Sequence, residues 1–132
     1  VLVLDGVVQT TEADEFIYHE MLTHVPLMAV PDPKRVMIVG GGDGGTLREV
    51  LKHPVERVDL VEIDVKVIES SREFLPTLND GGRVFDEPRV NVVVEDAFKY
   101  MKEHTGEYDA ILVDSTDPVG MAEALFSDEF YR

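Results

Sequence analysis

The sequence predicts an α/β fold with a parallel, doubly wound sheet. Two observations carry this. Short, continuous apolar runs at 35–40, 57–64, 89–96 and 108–114 alternate with segments of helical spacing. Alternation of that kind builds parallel sheets with right-handed crossovers. A glycine-rich turn, "GGGDGG" at 40–45, directly follows the first run, where a doubly wound sheet places its ligand.

Taken in order, "VLVLDGVVQTT" sets two β-branched runs around Asp5-Gly6, a strong two-residue hairpin signal. In "EADEFIYHEMLTHVPL", Phe16, Met21 and Leu22 with Ile17 and Val25 recur at helical spacing, and Asp14 stands where an N-cap belongs. Pro26, Pro31 and Pro33 should then break regular structure. "RVMIVG" reads as a strand covered on both faces. Thr46 and Glu49 have the spacing of a capping box, so a helix should open at Thr46 and run to His53-Pro54. "RVDLVEID" is a second strand, and "VKVIESSREFL" a helix stopped by Pro76. Residues 77–89 read as a polar loop containing Gly81-Gly82. "RVNVVVED" is a third strand, Ala97 to about His104 a helix, "YDAILVDSTDP" a fourth strand running into a loop, and "AEALFSDEFYR" the start of another helix.

Bulk properties narrow the function classes. The 132 residues fit one domain and suffice for a real core. A formal net charge of −15 counts against nucleic acid, whose affinity comes largely from Lys and Arg on phosphates, and favours small cations. No apolar run approaches the ~20 residues of a membrane span. The absence of cysteine excludes disulfides, zinc–thiolate sites and thiol catalysis. No basic start leads into an apolar stretch, so the expectation is a cytoplasmic protein with no membrane partner. The chain opens on Val1 and ends on Arg132 after an apolar, helix-like stretch, as a fragment of something longer would.

Each predicted strand ends in acid: Asp43 after the first, Glu62 and Asp64 at the second, Glu95 and Asp96 at the third, Asp114 and then Asp117 at the fourth. Gly40, Gly42 and Gly45 match G-x-G-x-x-G, and Glu62 follows Gly40 by 22 residues, the usual position of an acid gripping both ribose hydroxyls. Glycines that merely permit tight strand–helix packing are the plainer alternative, and Glu62 weighs against it. A dinucleotide would lay its pyrophosphate on the helix start, where Asp43 repels it. A phosphate-free, cationic adenosine donor such as S-adenosylmethionine or a relative fits better, with Asp96 suited to the adenine amino group. In "DSTDP", an Asx-type turn would account for the residue types, but Asp114 ends a central strand. Two carboxylates there could hold an amine, and one could accept its proton. Other chemistry fails: His19 and His24 are one residue too far apart for H-E-x-x-H, His53 and His104 read as surface residues at helix ends, and there is neither a Walker lysine nor a G-x-S-x-G elbow. Tyr18 is ambiguous, since an aromatic on an amphipathic helix is usually core.

"LVLDGVVQTTEADEFIYHEM", "VGGGDGGTLREVLKHP", "VEID" and "DSTDPVG", in this order over nearly the whole chain, closely resemble the spermidine synthases, the polyamine aminopropyltransferases. The resemblance implies a Rossmann-like methyltransferase-type fold, with residues 1–13 the end of an N-terminal β-domain and 14–132 a Rossmann-like domain missing its C-terminal part. It implies transfer of the aminopropyl group of decarboxylated S-adenosylmethionine, a co-substrate rather than a cofactor, to putrescine, giving spermidine and methylthioadenosine without a metal. By the same resemblance Asp114 is the proton acceptor and Asp117 its partner on the diamine. Asp43 contacts amines where the two substrates meet. Glu62 holds the ribose, Asp96 with Ala97 the adenine side, Leu4 and Gln9 lie near the nucleoside, and Tyr18 and His19 line the amine pocket. A homodimer or homotetramer is implied as well. Two positions depart from the family pattern: Ala13 stands in place of an arginine and Met121 in place of a proline. A methyltransferase using intact S-adenosylmethionine, a non-catalytic polyamine-binding module, and an enzyme acting on agmatine, cadaverine or spermidine remain open at this point.

Overall fold

The computed structural model describes residues 1–115. An antiparallel hairpin opens the chain, β1 (Leu2–Leu4) paired with β2 (Val7–Thr10). Leu4 faces Val7 across a two-residue turn in which Asp5 and Gly6 both take positive φ, 50° and 79°, the type I′ geometry that Asp-Gly favours. Next come α1 (Glu15–Ala29), β3 (Arg35–Gly40), α2 (Gly45–Val50), β4 (Arg57–Glu62), α3 (Val65–Phe74), a 3-10 turn at Arg83–Asp86, β5 (Val90–Val94), α4 (Ala97–Glu103) and β6 (Ala110–Asp114).

The four later strands form one parallel sheet in the order β5-β4-β3-β6. The chain runs outward from β3 to β5 and then returns to the other side of β3. The order therefore reverses between β3 and β6, and the crevice at their carboxyl ends is the switch point where doubly wound sheets bind ligands. Alternating residues of each strand feed two cores. Val36, Ile38, Val58, Leu60 and Leu112 pack with Leu27, Leu47, Val50 and Ile68 on one face. Met37, Val39 and Val61 pack with Ala97 and Tyr100 on the other. Burial on both faces explains why the central strands β3 and β4 read as continuous apolar runs; the outer strands β5 and β6 are only partly covered.

Four expectations change. First, α1 continues through Pro26 to Ala29. Leu27, one residue beyond the proline, is 1% exposed and joins the core, and burying a leucine is worth ~1.5–3 kcal/mol, comparable to the ~3 kcal/mol an internal proline costs. Second, α1 buries Glu15, His19, Thr23 and Leu27, while Phe16, Ile17, Met21 and Val25 are exposed; its inward stripe is largely polar because it forms a wall of the site described below. Third, α2 opens at Gly45 after a left-handed Gly44, so Thr46 and Glu49 form no capping box. Fourth, residues 77–89 are no simple polar loop: Leu78, Asn79, Val84 and Phe85 are all buried. Asn79 ties that segment down, donating to Ser71 O and Asp43 O and accepting from Gly82 N.

Among the described residues, no helix is long and apolar enough to cross a membrane.

Candidate active site

The glycine turn and the end of β6 are built against each other. Gly40 pairs with Asp114 in the sheet register, and Gly41 N donates to Asp114 O at 2.8 Å. Gly40 has φ +76°, and a Cβ there would lie 2.2 Å from Asp114 O. Only glycine lets the backbone of β3 approach β6 this closely, and that approach brings Asp43 and Asp114 to one crevice.

Asp43 answers the question of what occupies the helix start. Its Oδ1 accepts from Gly45 N at 2.8 Å, so the positive end of α2 is already taken by a carboxylate of the chain itself. A phosphate would meet that charge at close range.

Asp114 is held from three sides. Tyr18 OH donates to Oδ1 at 3.1 Å, and Thr46 Oγ1 donates to Oδ2 at 2.6 Å. His19 Nε2 lies 3.8 Å from Asp114 Oδ2 and 3.6 Å from Asp43 Oδ2. Burial, then the charge of Asp43, pushes the Asp114 carboxyl above the usual carboxylate range, against the opposing pull of Thr46, His19 and Tyr18. Tyr18 is itself raised, by burial and then by Asp114. Burial opposes charge on His19, but hydrogen bonding and attraction to Asp43, together with Glu15 and Asp114, prevail and raise it to about 9. The imidazole is therefore cationic at neutral pH. His19, Asp43 and Asp114 each offer a ligand atom within 4.8 Å of one another, so this is the group among the described residues that could hold a metal ion. The two carboxylates of that group, Asp43 and Asp114, can also attract an ammonium.

Glu62 lies on the neighbouring strand, 8% exposed. Its Oε2 accepts from Gly42 N and its Oε1 from Asp64 N, both at 3.1 Å. Burial raises its carboxyl, while those two N–H groups oppose the rise. This fixes the carboxylate at the rim of the crevice, with lone pairs remaining for a diol.

The structure thus brings Tyr18, His19, Asp43 and Asp114 together, with Glu62 beside the same glycine turn. Tyr18 is half-exposed and aims its hydroxyl at Asp114; it is not a core aromatic. Asp96 is exposed and caps α4, its Oδ1 accepting from Phe98 N at 2.8 Å. The Ala97 side chain belongs to the second core. Leu4 and Gln9 stay in the hairpin, where Gln9 Nε2 donates to Val7 O at 3.3 Å. Asp117 and Met121 lie outside the described residues. His53 and His104 are half-buried rather than surface residues: His53 Nε2 lies 2.8 Å from His24 Nδ1, and the His104 ring stacks on Tyr100.

Sequence reasoning missed Glu15, Thr46 and Arg48. Glu15 is four residues before His19, so the i,i+4 pairing was available as a signal. Thr46 has the spacing of a helix cap, which masks its bond to Asp114. Nothing local marks Arg48, whose partner is 33 positions away.

Comparison with known proteins places this crevice in a group. The profile of the spermine/spermidine synthase domain matches residues 15–132. A polyamine aminopropyltransferase of Desulforudis audaxviator is 61% identical over 132 residues, which is 99% of this chain and 47% of that protein. A spermidine synthase of Dictyostelium discoideum is 56% identical over 133 residues, covering 100% of this chain and 46% of its own. The chain thus spans about half the length of the curated relatives it matches. Among solved structures, a spermidine synthase in complex with the transition-state analogue AdoDATO superposes with TM-score 0.92 at 51% identity, over 98% of this chain and 44% of the other. The spermidine synthase of Thermotoga maritima does so with TM-score 0.85 at 48% identity, over 98% and 42%. These neighbours share the methyltransferase-like, doubly wound architecture expected from the sequence. With the acid-lined switch point, the self-capped glycine turn and this agreement over almost its full length, the chain belongs to the spermine/spermidine synthase family.

Proposed function

We propose that the protein carrying this chain is an aminopropyltransferase that alkylates putrescine with decarboxylated S-adenosylmethionine, releasing spermidine and methylthioadenosine. The observation that carries the reading is the meeting of Asp43 and Asp114 in one crevice, with an internal carboxylate on the α2 N-terminus where a phosphate would otherwise sit. The donor has lost its carboxylate, so its tail ends in an ammonium beside a cationic sulfur, and the acceptor is a diammonium. Acids at the switch point attract all of these. An S-adenosylmethionine-dependent methyltransferase would bring the donor's own carboxylate towards Asp43, which opposes it.

The step is a single displacement. A free alkylamine has a pKa near that of lysine, about 10, so it arrives protonated and must first lose a proton. Asp114 takes that proton; its raised carboxyl range makes it a better acceptor than an ordinary aspartate. The nitrogen lone pair then forms a bond to the carbon next to sulfur. The carbon–sulfur bond breaks, its electrons return to sulfur, and methylthioadenosine leaves as a neutral thioether. Glu62 takes the ribose diol, and Asp96 and Ala97 border the adenine. Leu4 and Gln9 close the nucleoside side, Tyr18 and Asp117 contact the diamine, and His19 backs the amine pocket behind Asp43 and Asp114. Holding nitrogen, carbon and sulfur in line supplies much of the rate. The working protein is a cytoplasmic homodimer or homotetramer in this reading.

The test supplies decarboxylated and intact donor separately, with putrescine, agmatine, cadaverine and spermidine in competition, to the protein expressed at its full length. Methylthioadenosine and spermidine are the expected products. Release of S-adenosylhomocysteine with no methylthioadenosine overturns the reading. Asp114→Asn should reduce transfer by at least ~10²-fold. It should leave the protein no less stable, because a buried carboxylate with a raised pKa opposes folding while ionised. Activity retained within a few-fold would remove Asp114 as the base.

A further inference from the structure

The inner face of α1 carries a chain of contacts that the reaction above does not use. Arg48 grips Glu15 with both ends of its guanidinium: Nη1 donates to Oε1 at 2.9 Å and Nη2 to Oε2 at 3.0 Å. Glu15 Oε2 in turn lies 2.5 Å from His19 Nδ1. The far nitrogen of the same ring faces Asp43 and Asp114. We infer that Glu15 and Arg48 are positioning residues, which hold the His19 ring so that its Nε2–H is shared between Asp43 and Asp114.

The geometry leaves the ring little choice. Glu15 has only acceptor oxygens to offer, so Nδ1 must be the donor on that side. With Nδ1 protonated, a neutral ring would turn a lone pair towards two carboxylates. A second proton on Nε2 removes that repulsion and supplies a donor to both. Gly45 packs flat against the ring; a Cβ there would lie 2.2 Å from His19 Cε1. His19 is 1% exposed and Glu15 8% exposed, so neither can swing into water. The titratable groups facing the ring are Glu15 and Tyr18 from α1, Asp43 from the glycine turn and Asp114 from β6.

The consequence for chemistry is a matter of charge. Arg48 and Glu15 neutralise each other. His19 then offsets one of the two acids, and the crevice retains close to one negative charge. It can attract an ammonium, while the positive ring beside Asp114 favours the ionised form that accepts a proton. Arg48 also donates to Glu49, Thr77 O and Leu78 O, so its loss would disturb packing as well. Glu15 is therefore the cleaner position to change.

This inference rests on the aminopropyl-transfer reading, and the test separates the two. Glu15→Gln, Glu15→Asp and Arg48→Lys are compared with the parent protein at full length. Each is followed by the pH profile of kcat/KM for the amine, by KM for the nucleoside donor, and by a nitrogen NMR titration of His19. For Glu15→Gln the His19 midpoint should fall. The imidazolium is then held less firmly between Asp43 and Asp114, its pull on ionised Asp114 weakens, and the acid limb of the profile should move up by about one pH unit or less. The kcat should fall on the order of tenfold, with the donor KM changed less than about threefold. Glu15→Asp keeps the charge and should keep most of the profile. Arg48→Lys loses the fork and should fall in between. A folded Glu15→Gln protein with an unmoved His19 midpoint and an unmoved pH profile overturns the inference. If Glu15→Gln does not fold, Glu15→Asp decides by the same two readouts: a profile that collapses although the carboxylate is kept counts against positioning by charge. If the parent protein transfers no aminopropyl group, the function reading fails by itself, and the NMR titration still tests the contact chain.

Discussion

Gly45→Ala is the sharpest test of how tightly the site is built. Gly45 opens α2, and in a helix alanine should be favoured over glycine by ~1 kcal/mol. The structure reverses that sign. A Cβ at Gly45 would stand 2.2 Å from Cε1, 2.3 Å from Nδ1 and 2.7 Å from Nε2 of His19. These are ring atoms, not the loose end of a long chain, and the ring is clamped by Glu15 on one edge. Overpacking a filled interior costs ~1–3 kcal/mol. Displacing the ring also weakens a charge-assisted contact worth ~1.5–3 kcal/mol. Less the helical gain of ~1 kcal/mol, the net loss is about 1.5–5 kcal/mol, with a centre of ~3 kcal/mol. For a chain of this size that lowers Tm by roughly 10 °C. Thermal melts followed by circular dichroism measure it, and a double-mutant cycle assigns it. In a His19→Ala background the ring is gone, and Gly45→Ala should be neutral or mildly stabilising. Gly106→Ala is the control, since a Cβ there meets nothing within 4 Å and only its φ of +75° opposes the change. An equal cost for Gly45→Ala in both backgrounds would refute the reasoning.

Two further outcomes follow from the same geometry. In Gly42→Ala the new Cβ would lie 2.7 Å from Glu62 Oε2 and 2.9 Å from Val67 Cγ1, so Glu62 must leave Gly42 N; affinity for methylthioadenosine by calorimetry should fall on the order of tenfold, the cost of one lost charge-assisted contact, and unchanged affinity would mean Glu62 does not hold the ribose. His19 has a folded-state pKa raised from 6.5 to about 9, so its contribution to stability is complete below pH 6.5 and is lost as pH rises through about 9; at 1.36 kcal/mol per unit the total is roughly 3 kcal/mol, visible as a falling urea midpoint over that window that His19→Gln should flatten.

Much of this protein could be read locally. The Asp5-Gly6 hairpin, the four strands of the parallel sheet, the glycine turn and the acids at the strand ends are all properties of neighbours in the chain. Side-chain period and turn chemistry report such properties directly. The resemblance to spermidine synthases rested on the same short stretches. Reading failed where the partner lies far away in sequence. The apolar spacing of Phe16, Ile17, Met21 and Val25 promised a hydrophobic inner face for α1 and could not reveal that Glu15 and His19 face inward. Thr46 and Glu49 had the spacing of a cap, yet Asp43 already satisfies Gly45 N, and Thr46 is free to serve Asp114.

By itself, then, the order of residues settled the class of fold, the turn at the switch point and the acids that follow the strand ends in the chain, because each depends on chain geometry over a few residues. Which acids meet, which of them shares a proton with His19, and that Arg48 and Glu15 stand behind it were decided only in three dimensions. Those pairings join α1, the glycine turn, α2 and β6 across 24 to 96 positions, and no local pattern carries the energy of a contact made only after the sheet has closed.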